Sequence, residues 1–370
     1  MVLAQYGVTP GLHPTIRQIA AAAQVSATTV SMALRNHPRI PPATRLRIQT
    51  LARRMNYRPN PAIVSLMTEV RSRSPVGYHE TLGWINPHDR ADHFVNKRLL
   101  GLEYHQNLWA GALHRAGQLG YALESFWLRA PKMSAQRMSA ILVARGIRGL
   151  LLPPLPGPNG HLSLDWSHFS VTALSYTIVR PQFHRVVPDH HHNIRLILRT
   201  LQHRRYERIG MFLPARFDER LEDRFRSAFY FYHQTIPVGN RLPVLIGPDK
   251  NYESIGAAWL KKWRPDAVIT LGTFRDLREI DIGDPAYSQK LGIVLMGCGA
   301  VRDRSFTVVD ENPFRIGESA VDRLAGQLQR NEPGIPDNPE TTLIKGTWID
   351  GQTIKPRQPT ARETAPAASA

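Results

Sequence analysis

One cysteine, Cys298, stands in 370 residues. That excludes an internal disulfide framework and any cysteine-based zinc motif, and it points to a reducing cytoplasm. Runs of about 18 apolar residues are absent, so no membrane-spanning helix is expected. The opening MVLAQYGVTPGLHPTIRQ lacks the basic start and apolar segment of a secretory signal. Catalytic signatures are missing as well. There is no Gly-x-Ser-x-Gly and no phosphate-cradling Gly-x-x-x-x-Gly-Lys, while Gly297-x-Gly299 has no third glycine and lies late in the chain. Neither an enzyme nor a cofactor is expected. Acids are scarce where it matters most: residues 1–75 hold ten arginines and a single acid, Glu69, a net +9 out of +17 for the whole chain. Half the excess in a fifth of the length marks a basic, nucleic-acid-binding head on a more neutral body.

The length suits two or three domains, and 42% hydrophobic residues suffice for sizeable cores. Residues 1–14 show no periodicity and are expected to be a disordered lead-in. Ile16, Ile19, Ala20 and Ala23 then follow helical spacing, as do Ile48, Leu51, Ala52 and Met55. Thr15-x-x-Gln18 is a capping box, Ser26 can cap a second helix, and Pro42 suits the first turn of a third. The spacing predicts a helix over 16–23, a turn at Gln24-Val25-Ser26 and a second helix over 27–34, a helix-turn-helix head within 15–59. Asn60 followed by Pro61 opens a short helix in a 60–78 hinge and linker. From 79 to 355, apolar strands alternate with amphipathic stretches, which means doubly wound parallel sheets, and nearly 280 residues suit two of them. The fold class is therefore α plus α/β. The Pro/Ala-rich stretch 356–370 is expected to be a disordered tail.

Thr15-Ile16, Ile19-Ala20, Ala23, Val25-Ser26, Thr29-Val30-Ser31, Leu34, Asn36, Arg39, Pro42, Thr44-Arg45 and Tyr57-Arg58-Pro59-Asn60 together resemble the DNA-binding head of the lactose-repressor/galactose-repressor family of bacterial transcription regulators. Gly120-Tyr121, Arg148–Leu152, Arg204–Gly210 and Ile316-Gly317-x-x-Ala320 resemble parts of that family's two-lobed, periplasmic-binding-protein-like core. The resemblance implies a homodimer on a pseudo-palindromic double-stranded operator. It places Ala27, Thr28 and Met32 at base edges, and Thr15, Ser26, Thr29, Ser31, Arg35, Arg39 and Tyr57 at phosphates. Asn60–Met67 would be the hinge helix, Leu66 its minor-groove wedge and Ala62 the small residue between paired hinges. A small-molecule effector, a sugar or other metabolite, is implied between the lobes, beside Asn86, Tyr176, Asp189, Arg220 (with Arg224 as its competitor), Gly272 and Asn312.

Three departures from the family stand out. Gln24 replaces the usual turn glycine, which predicts a strained or altered turn. Met32 replaces an arginine that would read guanine. Gly297-Cys298-Gly299-Ala300 lacks the carboxylate that holds a sugar-like effector, which leaves open a regulator with a degenerate, ligand-independent core. Asp189-His190-His191-His192 has metal-ligand residue types and is the basis of a rival reading as a metal-dependent hydrolase. Consecutive residues point in different directions, however, so no metal site is expected there. A periplasmic solute-binding protein is disfavoured by the basic head.

Overall fold

The structure is a computed structural model, and it describes residues 15–34, 39–55, 57, 80–96, 103–157, 160–247, 252–271, 280, 282–298 and 305–357. The lead-in, the hinge and linker with Asn60, Ala62 and Leu66, the positions Arg35 and Gly272, and the tail from 358 onward lie outside the described residues.

The head comprises α1 (Ile16–Ala23), α2 (Ala27–Leu34) and α3 (Pro42–Arg54). All three start where local chemistry says they should. Thr15 Oγ1 accepts the Gln18 N–H while Gln18 Oε1 accepts the Thr15 N–H at 2.8 Å, a reciprocal capping box. Ser26 Oγ accepts the Thr29 N–H at 3.0 Å to cap α2, and Pro42 occupies the first turn of α3. Ile19, Ala23, Val30, Ala33, Ile48 and Met55 close a small core. Gln49 ties α3 to α2 through the Ala33 carbonyl at 2.9 Å.

The body has two lobes, each built on a six-stranded sheet. The first lobe contains β1 (Glu80–Asn86), β2 (Tyr121–Trp127), β3 (Gly149–Leu152), β5 (Ser170–Ala173), β7 (His184–Pro188) and β13 (Thr341–Ile344), in the order β13-β7-β5-β3-β1-β2 with every pairing parallel. The side strands β4 (Gly160–His161) and β6 (Ile178–Arg180) pair with each other. The pleat sends Leu82 and Trp84 of β1 to one face and Ile85 to the other. The first face packs on α4 (Glu103–Gln118) and α11 (Pro313–Arg330), the second on α5 (Ala135–Ala144).

In the second lobe the order is β14-β12-β11-β10-β8-β9. Its strands are β8 (Ile209–Pro214), β9 (Leu245–Gly247), β10 (Ala267–Leu271), β11 (Gly292–Cys298), β12 (Thr307–Asp310) and β14 (Thr347–Ile349), and only the β12–β14 pair is antiparallel. Its helices are α6 (His190–His203), α7 (Ala215–Glu219), α8 (Arg224–His233), α9 (Tyr252–Trp263) and α10 (Pro285–Lys290). The expected boundary at 355 falls slightly short, because Arg357 pairs with Asp266 at 3.1 Å and stacks on Tyr206.

α4 and α11 approach so closely that their backbones touch. A Cβ added at Gly317 would lie 2.1 Å from the Leu108 carbonyl oxygen, and one at Gly111 would lie 1.9 Å from that of Phe314. Only glycine fits at either place.

The chain crosses between lobes three times, after β7, after β12 and between β13 and β14. The crossings are clipped to one another. The Asp189 N–H donates to the Ile344 carbonyl at 2.8 Å, Asn193 Oδ1 accepts the Gly346 N–H at 2.8 Å, and Asn312 Nδ2 donates to the Lys345 carbonyl at 2.8 Å. His190 Nδ1 meets Glu311 Oε1 at 3.1 Å, with both side chains buried.

Candidate nucleic-acid interface and ligand cleft

Residues 15–57 contain seven arginines and no acid, so the surface of the head is cationic throughout. At the start of α2 the side chains of Ala27 and Thr28 are exposed, whereas Val30 and Ala33 on the opposite face are buried. A helix N-terminus with small exposed side chains fits a major groove, where its free amides and positive dipole end also face phosphates. Thr15, Ser26 and Arg39 are exposed, and Thr29 and Ser31 partly so. The Ser26 hydroxyl already caps α2 and lies 2.8 Å from Thr29 Oγ1. Tyr57 is half-buried against the head's core, and desolvation raises its phenol pKa. Met32 lies one turn beyond Thr28 and is also half-buried, packed partly on the core.

The turn between α1 and α2 carries the strain that its sequence foretells. Gln24 sits at φ 54°, ψ 45°, and its N–H donates to the Ala21 carbonyl at 3.2 Å. A side chain in this left-handed conformation costs about 1–2 kcal/mol that glycine would not.

In the body, the residues expected at the cleft have mostly become hinge and loop braces. Asn86 is fully buried: its amide donates to the carbonyls of Arg90 (2.8 Å) and Ala91 (3.0 Å) and its oxygen accepts the His88 N–H at 3.0 Å. Asp189 caps α6 by accepting the His192 N–H at 2.9 Å. Asn312 takes the left-handed conformation at φ 55° and holds Lys345 and Thr347. Arg220 does span the cleft, donating to the Leu155 carbonyl of the other lobe at 2.7 Å. Tyr176 lies buried, with the Arg224 guanidinium 4.2 Å and that of Arg185 5.3 Å from its ring centre. Arg224 also pairs with Glu222 at 2.6 Å. Trp84 is fully buried and edge-on to Phe94 and Trp109, so it is a core residue and offers no stacking platform in the cleft.

The Asp189–His192 run does not converge on a point, and the hydrolase reading is corrected accordingly. Asp189 is spent as a cap, His190 turns inward to Glu311, and His191 is exposed. The histidines that do converge are His88, His93 and His105, each offering a nitrogen within 4.8 Å of the others. Sequence reasoning missed them because a strand-end loop, a turn and a helix supply one each. The only signal was three histidines within 18 residues just past a strand. Tyr104, close to Asp310, Glu311 and Arg220, was missed too; burial pushes its phenol pKa well up.

Residues 15–60 match the family model described as bacterial regulatory proteins, lacI family. The head is similar to that of the lacI family. Solved structures share the fold at low identity. The transcriptional regulator CelR in complex with cellobiose is 15% identical, with 92% of this chain and 100% of that chain covered, at a TM-score of 0.52. The lac repressor bound to ONPG in its repressed state is 16% identical over 92% of this chain and 100% of that one, at 0.50. A LacI-family transcriptional regulator from Rhizobium etli is 16% identical over 74% and 98%, at 0.54. No curated protein sequence matches the chain. Among the described residues, no helix is long and apolar enough to cross a membrane.

Proposed function

We propose that this chain is a sequence-specific transcription regulator that binds its operator as a homodimer and responds to a small ligand taken up between the lobes. The observation that carries the reading is the acid-free, lacI-type head, with the exposed N-terminus of α2 presenting Ala27 and Thr28. In this reading those two residues and Met32 meet base edges, while Thr15, Ser26, Thr29, Ser31, Arg35, Arg39 and Tyr57 set the register on phosphates. Asn60, Ala62 and Leu66 act in the hinge. The ligand gains by linkage: whichever lobe arrangement it prefers shifts operator affinity, and operator shifts ligand affinity by the same factor.

Arg185 and Arg224 stand over the Tyr176 ring, with Glu222 and Asp189 as acidic neighbours. Asp189, Asn312 and Asn86 serve the ligand through the hinge and loop they brace.

Binding-site selection with the full chain, followed by affinity measurement over a salt series, tests the reading. Counterion release gives a log–log slope of about −0.9 per neutralised phosphate, hence near −5 for about six contacts. Recovery of a two-fold symmetric site with that slope supports the reading. A flat salt dependence with no enriched site refutes it.

A further inference from the structure

Three imidazoles meet at the carboxyl edge of the first lobe's sheet, and neither the head nor the expected effector contacts use them. His88 follows β1 by two residues, His93 lies in the turn after it, and His105 is in the first turn of α4. His93 Nε2 and His105 Nδ1 are 2.8 Å apart. The rings of His88 and His93 stack with centroids 3.6 Å apart and 7° between their planes. His88 Nε2 lies 3.0 Å from the Pro154 carbonyl oxygen. A carbonyl only accepts, so this nitrogen carries the proton and Nδ1 keeps its lone pair. Metal-bound histidines are oriented in this way, with one ring nitrogen donating to an outer carbonyl and the other facing the ion. Asn86, by gripping the loop at His88, Arg90 and Ala91, fixes the first of the three.

Burial keeps the cluster neutral. The pKa of His88 is lowered to about 4 and that of His105 to about 3, first by desolvation and then by the other imidazoles, and His93 is lowered too. The His93–His105 contact holds one proton between two neutral rings, so one of them takes its other tautomer when an ion binds.

We propose that His88, His93 and His105 form a site for one divalent transition-metal ion of the zinc, cobalt or nickel class, with a remaining coordination position for an oxygen donor. The donor set is all nitrogen, which suits these ions and not magnesium or calcium. Around a tetrahedral ion with bonds of about 2.0–2.1 Å, the nitrogens stand about 3.3 Å apart. The 2.8 Å pair must open by about 0.5 Å and the widest separation must close by up to about 1.5 Å, which is within reach of side-chain rotation. Arg220 of the second lobe disfavours positive charge on His88 and on His105. It opposes a bare cation in the same way, so the ion that fits is one bringing an anionic oxygen donor, a carboxylate or hydroxide, to face the guanidinium.

The test uses the untagged full chain, stripped with chelator and titrated with cobalt(II) chloride while visible ligand-field absorption is recorded. One equivalent should saturate the signal, and one equivalent of zinc(II) should abolish it. His88→Ala and His93→Gln should each weaken binding by at least about 10–100-fold with unchanged far-ultraviolet dichroism, while His191→Ala should leave it intact. The proposal is overturned by either of two results: no saturable one-equivalent signal, or a signal that survives both histidine substitutions. If a variant loses its folded dichroism, the parent's stoichiometry and its competition by zinc(II) still decide.

Discussion

Replacing Gly317 by alanine should cost the body a large part of its stability, and the amount follows from the contact between α4 and α11. The added methyl carbon would sit 2.1 Å from the Leu108 carbonyl oxygen and 2.7 Å from the Ala112 nitrogen. Ordinary contact begins near 3.4 Å, so α11 must retreat by about 1.3 Å. Both obstacles are backbone, and neither can rotate away. The seam is formed by Leu108, Ala112 and Ala116 against Ile316, Ala320, Val321 and Leu324, all buried. A radial gap approaching 1 Å forfeits a quarter to a half of the dispersion attraction across such a seam. Overpacking usually costs about 1–3 kcal/mol, and this rigid site belongs at the upper end, about 3 kcal/mol. For a body of this size that is a fall in melting temperature of about 6–12 °C. Gly117→Ala is the matched control. It lies on α4, the helix that α11 packs against, with nothing within 4 Å of the added carbon, and it should be neutral or raise stability by up to about 1 kcal/mol. Thermal melts and urea titrations of the three proteins check this. A Gly317→Ala protein melting within 2 °C of the parent, or the two substitutions acting alike, would refute the reasoning.

Three further outcomes are expected. Gln24→Gly should stabilise the head by about 0.5–1 kcal/mol, the left-handed cost relieved less the extra freedom of an unfolded glycine, seen as an upward shift of the head's transition in calorimetry; a downward shift contradicts the strain. Met32→Arg should sharpen base selection toward G·C at one half-site position by about 1–3 kcal/mol, and an unchanged base distribution in binding-site selection would mean that Met32 serves only the core. In metal-free protein, His88 and His105 titrate near 4 and 3 when folded, below the unfolded value of 6.5. Their contribution is therefore complete above about pH 6.5 and is lost as acid protonates the unfolded chain, at no more than about 1.4 kcal/mol per pH unit per histidine. Denaturant titrations at pH 7, 6 and 5 should show this slope, flattened in His105→Asn; equal slopes would argue against buried neutral imidazoles.

The head was legible almost residue by residue because its signals are local. A capping box, a serine cap and a first-turn proline fix three helix starts without reference to anything distant. Central strands such as β3 and β10 announced themselves as short apolar runs. The strands that went unread have mixed or exposed faces. β7 buries His184 and Arg185 alongside its valines, while β13 and β14 are edge strands with largely exposed side chains. Periodicity does not mark the start of α6, because its first turn, His190–Asn193, offers histidines in place of an apolar stripe. There the motif that looked like chemistry was a helix cap. The histidine cluster shows the opposite failure: its members carry no periodicity, and only the folding of the loop over β1 brings them together. Asp189 and Asn312, expected as ligand contacts, spend polar atoms on the lobe crossings, which no sequence pattern announces.

The three clipped crossings also decide how this molecule can be rebuilt. Each lobe is assembled from two separate stretches, 80–188 with 313–344 for one and 190–310 with 347–357 for the other. No single splice can therefore exchange a lobe. A graft needs three junctions, all beside the buried His190–Glu311 contact, and each must preserve partners supplied by the others. The head is continuous in sequence and has its own core, so one junction after Tyr57 is enough to transplant it. In the proposed function, base reading by the head is thus portable, whereas a ligand held between the lobes meets both stretches of each and its recognition must be altered in place, side chain by side chain.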